Sequence, residues 1–163
     1  MDTPSHRQTT SSILTCRELQ TDQEIREAFP LMSSLRDRIR RETFLAEIRR
    51  QQLQGYELIG AFEGARLVAL AGIRRSHTLS RGEHLFVDDL VTATDARGRG
   101  HATELLRWLA ARAAAEGTPR LYLDSRDTAR GFYAKLGFRF LTSIPCWIDA
   151  DQMAPPDQPE RAR

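Results

Sequence analysis

Three strand-length apolar runs followed by one long amphipathic helix set what this chain can fold into. "YELIGAF" (56 to 62) and "RLVALAGIRR" (66 to 75) are joined by "EGA", which reads as a hairpin, and "HLFVDDLVT" (84 to 92) is a third strand. In "ATELLRWLAARAAAEG" (102 to 117), residues Ala102, Leu105, Leu106, Leu109 and Ala113 share one stripe and Gly117 closes the helix.

Around this centre the pattern extends both ways. "ILTCREL" predicts a strand over 13 to 19, and "TDQE" at Thr21 to Glu24 matches a capping box that opens a helix. Pro30 should kink or split that helix. A second helix is predicted over "ETFLAEIRRQQLQ", ending at Gly55. Downstream come a strand in "RLYLDS", a short helix in "TARGFYAKLG" and at least one last strand in "FRFLTSIPCWI". A hairpin-built half followed by a β-α-β half predicts an α/β (α+β) fold, a mixed sheet with helices on both faces.

At 163 residues the chain fits a single domain able to bury a core without staples. The expected domain covers 13 to 149, with frayed ends over 1 to 12 and 150 to 163, the latter rich in Pro and charge. The formal charge is +2, and Lys135 is the only lysine among many arginines. Those arginines are spread among similar numbers of acids instead of forming a basic block, which argues against nucleic-acid binding. No apolar run reaches the ~20 residues a membrane span needs and no apolar signal core opens the chain, so a cytoplasmic protein without a membrane partner is expected. Cys16 and Cys146 lie far apart without CxxC spacing, which suits two reduced thiols and no metal site.

Between the third strand and the long helix lies "TDARGRGH". A loop that only turned the chain would need one glycine, and adjacent arginines repel each other unless something negative sits nearby. Gly98 and Gly100 permit positive φ and close approach, Arg97 and Arg99 offer charge-assisted hydrogen bonds, and the helix N-terminus adds unpaired amides. The element reads as a phosphate cradle. It lacks the GK[ST] of a nucleotide-triphosphatase loop and the third glycine of GxGxxG. The bland alternative is a glycine corner.

"VDDLVTATDARGRGHATELL" resembles the acyl-coenzyme A binding motif of the GNAT (Gcn5-related) N-acetyltransferases, [RQ]-x-x-G-x-[GA], here Arg97, Gly98, Arg99, Gly100, His101 and Ala102. The family's second signature looks present as "ARGFYAKLGF", carried by Ala129, Phe132, Tyr133, Leu136, Gly137 and Phe138. The resemblance covers residues 84 to 141. It departs at Arg126, where many members carry a coenzyme-binding asparagine; Arg126 either serves the ligand or is solvated.

The resemblance implies a sheet splayed at its central strands and transfer of an acetyl group from acetyl-coenzyme A, the co-substrate, to a primary amine. It implies that amides from Arg97 to Ala102 hold the pyrophosphate and that the backbone of Leu90, Val91 and Thr92 pairs with the pantetheine arm. Asp88 becomes the first choice of base, with Glu83 and His84 in reserve, and Tyr133 the acid for the leaving thiolate. Being adjacent in a strand, Asp88 and Asp89 should lie on opposite faces, so that only one meets the site. Phe132 flanks the coenzyme or packs in the core. The resemblance implies that the acceptor, a small-molecule or protein amine, is shaped by the first two helices and the segments Arg74 to Glu83 and Ser143 to Ile148, where no motif specifies it. A non-catalytic acyl-coenzyme A sensor is the alternative, and a homodimer through the final strands is compatible with the sequence.

Overall fold

The computed structural model describes residues 14–153. The expected frayed segment 1–12 and most of 150–163 therefore lie outside the described residues, although Ala150–Met153 form a 3₁₀ turn. The chain divides into two compact units, with the boundary between Arg126 and Asp127.

The first unit runs β1 (Leu14–Glu18), α1 (Asp22–Ser33), α2 (Arg41–Gln52), β2 (Tyr56–Glu63), β3 (Arg66–Thr78), β4 (Gly82–Thr92), α3 (His101–Ala115) and β5 (Leu121–Leu123). The sheet order is β1-β2-β3-β4-β5. Three pairs are antiparallel and β4–β5 is parallel, the mixed sheet the element order predicts. The β2–β3 hairpin closes where Glu63 faces Arg66, and Gly64 takes the positive φ of 61° that the two-residue turn needs.

Successive strand residues point to opposite faces, and the two faces are buried differently. On one, Leu58 and Leu70 pack with Ile25 and Met32 of α1 and Phe44 and Ile48 of α2. On the other, Ile59, Ala69 and Ala71 pack with Leu105, Leu109 and Ala113 of α3. Small residues on this second face let α3 approach the strands closely.

At the α1 start, the Glu24 amide donates to Thr21 Oγ1 at 3.2 Å and the Thr21 amide to Glu24 Oε2 at 3.0 Å, completing the capping box. Pro30 does not split α1, which continues to Ser33. It falls in the last turn, where few backbone bonds remain to lose.

β5 pairs with β4 only at Leu85–Leu121, Phe86–Tyr122 and Val87–Leu123. From Asp88 to Thr92 that edge of β4 has no strand beside it among the described residues, which is the splay the resemblance implies.

The second unit contains a 3₁₀ turn at Asp127–Ala129 and α4 at Arg130–Lys135. The last strand expected within 138 to 148 is absent: these residues carry no ladder, and Ile144 and Trp147 are 85% and 86% exposed. Apolar residues alone do not make a strand without a paired edge, and Pro145 removes one donor.

Candidate active site

The middle of β4 departs from regular pairing. Ile73 of β3 faces Val87 and Gly72 faces Asp89, so Asp88 is an extra residue in a β-bulge. A bulge breaks strict alternation and re-aims side chains. Asp88 and Asp89 consequently line the same cavity, against the expectation that only one would face the site.

Each carboxylate has its own guanidinium. Arg74 Nε donates to Asp88 Oδ2 at 2.7 Å, and Arg36 Nε to Asp89 Oδ1 at 2.7 Å. Arg36 also donates to the Asp88 carbonyl at 2.7 Å, so the loop after α1 is tied to the bulge. Arg74 is held in turn by Gln51 Oε1 at 2.6 Å and lies over the Tyr56 ring at 5.2 Å. The Tyr56 hydroxyl donates to Asp89 Oδ2 at 2.8 Å.

Burial pushes the Asp88 carboxyl above the usual carboxylate range, with Arg74 opposing the shift. Tyr56 is driven well above the ordinary phenol value, first by burial and then by Asp89, so it stays a donor. The cavity holds about 260 Å³, and Met32, Phe44 and Ile48 form its apolar wall beside Glu47.

The two reserve bases, Glu83 and His84, stand elsewhere. Glu83 and His77 are exposed and paired with each other at 2.5 Å. His84 is buried, with its Nδ1 2.8 Å from the Gly82 carbonyl and its ring edge-on to Tyr122. None of the three lines the cavity.

The second half of β4, with Leu90, Val91 and Thr92, leads through a 3₁₀ turn at Thr94–Ala96 to the glycine loop. Gly98 and Gly100 have φ of 74° and 86°. A Cβ at either would meet nothing within 4 Å, so it is the backbone conformation that asks for glycine, and the space above the loop is open. Gly100 is the N-cap of α3; its carbonyl accepts from the Glu104 amide at 3.0 Å. The amides of His101, Ala102 and Thr103 precede that first helical bond and have no intrahelical partner.

Arg97 is exposed, and its Nε donates to the Thr92 carbonyl at 3.4 Å. Arg99 is paired with Glu63 Oε1 at 2.5 Å, so its charge is already partly offset. His101 is 8% exposed and its Nε2 has no hydrogen-bond partner among the described residues. Arg126 is exposed at the end of the first unit.

In the second unit, Tyr133 is buried, with Phe132 edge-on at 5.0 Å and Phe138 at 5.3 Å. Burial raises the Tyr133 pKa. Its hydroxyl is therefore protonated at neutral pH.

Sequence reasoning passed over Tyr56, Arg36, Arg74, Gln51 and Glu47, because nothing in local spacing says that a buried tyrosine reaches Asp89. The doubled aspartate inside an apolar strand was the one available sign of a bulge. Among the described residues no group of three or more His, Cys, Asp or Glu is placed to hold a metal ion. No helix among them is long and apolar enough to cross a membrane.

Comparison with known proteins bears directly on the class these features belong to. The chain belongs to the acetyltransferase (GNAT) family, whose sequence model matches residues 18–138. It is 32% identical over 127 residues to the uncharacterized N-acetyltransferase YhdJ of Bacillus subtilis (strain 168), covering 75% of this chain and 89% of that one. It is 38% identical over 76 residues to mouse N-alpha-acetyltransferase 80, covering 47% of this chain and 24% of that one. Among solved structures, the aminoglycoside N-acetyltransferase AAC(6')-Iy in complex with CoA superposes with a TM-score of 0.73 at 16% identity, covering 87% of this chain and 98% of that one.

Proposed function

We propose that the protein transfers the acetyl group of acetyl-coenzyme A to a primary amine. The observation that carries this reading is one continuous path along β4. A cavity with two carboxylates lies at the bulge, an unpaired strand edge follows from Asp88 to Thr92, and an open helix N-terminus lies beyond.

The fit to the coenzyme is chemical. Helix amides at His101 and Ala102, with Arg97, suit a pyrophosphate; Arg99 contributes less because Glu63 already engages it. The open edge of β4 along Leu90, Val91 and Thr92 suits the amides of a pantetheine arm, which pair as an added strand does, and the Thr92 carbonyl there already accepts from Arg97 Nε. The family resemblance assigns Arg126 and Phe132 to the coenzyme as well. The bound coenzyme supplies an activated acetyl carbon and a thiolate leaving group.

An alkylamine with a pKa near ~10.4 is mostly protonated at neutral pH and cannot attack in that form. Asp88 accepts one ammonium proton, which its raised pKa favours, while Arg74 fixes its orientation. The nitrogen–carbon bond forms and the carbon–sulfur bond breaks. Tyr133 gives its phenolic proton to the sulfur and is reloaded by the second proton the nitrogen sheds, so the third stays on the amide.

The test is to incubate the full chain with acetyl-coenzyme A and n-hexylamine and follow free thiol and acetylated amine together. Thiol release matched by product supports the reading. Absence of acetyl-coenzyme A binding in a folded sample contradicts it.

A further inference from the structure

The charges inside the cavity do not cancel. Asp88 and Asp89 are each matched by an arginine, but Glu47 of α2, which lines the same cavity, has no cation within ion-pair distance among the described residues. Its Oε1 accepts from the Thr43 hydroxyl at 2.5 Å, which orients the carboxylate without neutralising it. The cavity thus holds one net negative charge beside the apolar wall of Met32, Phe44 and Ile48.

Size and surroundings narrow what can answer that charge. A volume of about 260 Å³ lies below the ~300–1,000 Å³ of typical small-molecule pockets, which suits a small amine and not a ligand of aminoglycoside size. The loop between α1 and α2 supplies Ile39 to the cavity wall, and Arg38 and Arg40 on either side of Ile39 are exposed without a carboxylate partner among the described residues. A ligand with several positive charges would find one carboxylate inside that lacks a cation, and a loop whose exposed Arg38 and Arg40 outweigh Asp37 by one positive charge.

We infer that Glu47 selects the acceptor, and that the acceptor is a singly charged primary amine on a short apolar stem, not a polycation. This rests on the transferase reading only for the word acceptor; the binding preference stands on the cavity itself. An apolar stem gains from the wall, and the ammonium replaces water at Glu47 with a charge-assisted hydrogen bond.

The test is equilibrium binding to the full chain, read by ligand-observed NMR with n-hexylammonium, spermidine and kanamycin at one ionic strength, for the native chain and for Glu47→Gln. The glutamine variant keeps the side-chain shape and an acceptor for Thr43. The expected result is that hexylammonium binds more tightly than either polycation and loses about tenfold or more in affinity in Glu47→Gln. Acetyl-coenzyme A affinity, measured on the same two samples, stays unchanged. Absence of hexylammonium binding, equal affinity in the variant, or tighter binding of spermidine or kanamycin would overturn the inference. Loss of acetyl-coenzyme A binding in the native chain would instead count against the transferase reading, so the two failures are separate.

Discussion

The Tyr56 hydroxyl donates to Asp89 across the face of Gly72, and no other residue fits between them. A Cβ built on Gly72 would clash with the Tyr56 hydroxyl and ring carbon Cζ and lie 2.6 Å from Asp89 Oδ2. The ring is buried in the packed face under α1 and α2, so it has little room to retreat. Gly72→Ala should therefore lower stability by about 1–3 kcal/mol and raise the acceptor KM by freeing Asp89 from Tyr56. Chemical unfolding and steady-state kinetics on the same variant check both; an unaltered midpoint would show that the Tyr56 seat is looser than described.

Asp88 is the proposed proton acceptor, and its carboxyl sits above the usual range because it is buried. A base acts only when ionised, so the rate falls as pH drops through that raised pKa and recovers above it. Asp88→Asn should lower turnover and remove this acid limb from the pH profile. A limb that survives unchanged points to Asp89, the other carboxylate on the bulge.

Tyr133→Phe should reduce turnover by roughly 10²-fold while leaving acetyl-coenzyme A affinity within about twofold. Calorimetric titration paired with single-turnover rates separates the two effects. Equal turnover in the variant would make Tyr133 a packing residue held between Phe132 and Phe138.

The capping box gives a stability prediction with a defined sign. Its Glu24 carboxyl is held down to about 2, mainly by the Thr21 amide and Arg17. A lowered pKa contributes stability above the unfolded value and loses it as pH falls through the folded one. The difference in thermal midpoint between native protein and Glu24→Gln should thus be present at pH 6 and vanish between about pH 4.5 and pH 2. Thr21→Ala, which removes the other half of the box, should cost about 1 kcal/mol. A pH-independent difference would mean that Glu24 acts by packing.

The sheet and its helices were legible in the sequence because each rests on a local rule. Periodicity marked α3, turn residues marked the β2–β3 hairpin, and Thr21 with Glu24 marked the start of α1. The backbone of the glycine loop was legible for the same reason, since Gly98 and Gly100 take the positive φ that glycine permits. The resemblance pointed to the first two helices and the segment from Arg74 for the acceptor, but not to the cavity's contacts, because residues such as Arg36, Gln51 and Asp89 meet only through the tertiary fold. The bulge shows the limit sharply: alternation assigned Asp88 and Asp89 to opposite faces, and one extra residue opposite β3 put them on the same side. The segment 138 to 148 failed in the other direction, having strand-like composition but forming no ladder.

The central claim is that the glycine-arginine loop and the free edge of β4 hold acetyl-coenzyme A. Calorimetric titration of the full chain with acetyl-coenzyme A, with ATP and NAD for comparison and Gly100→Glu as the control variant, tests it most directly. The account predicts selective binding of the coenzyme by the native protein. It predicts none in the variant, which must carry a side chain at a φ of 86° and a carboxylate over the cradle. Equal binding by the two proteins, or no coenzyme binding by a folded native sample, would contradict it.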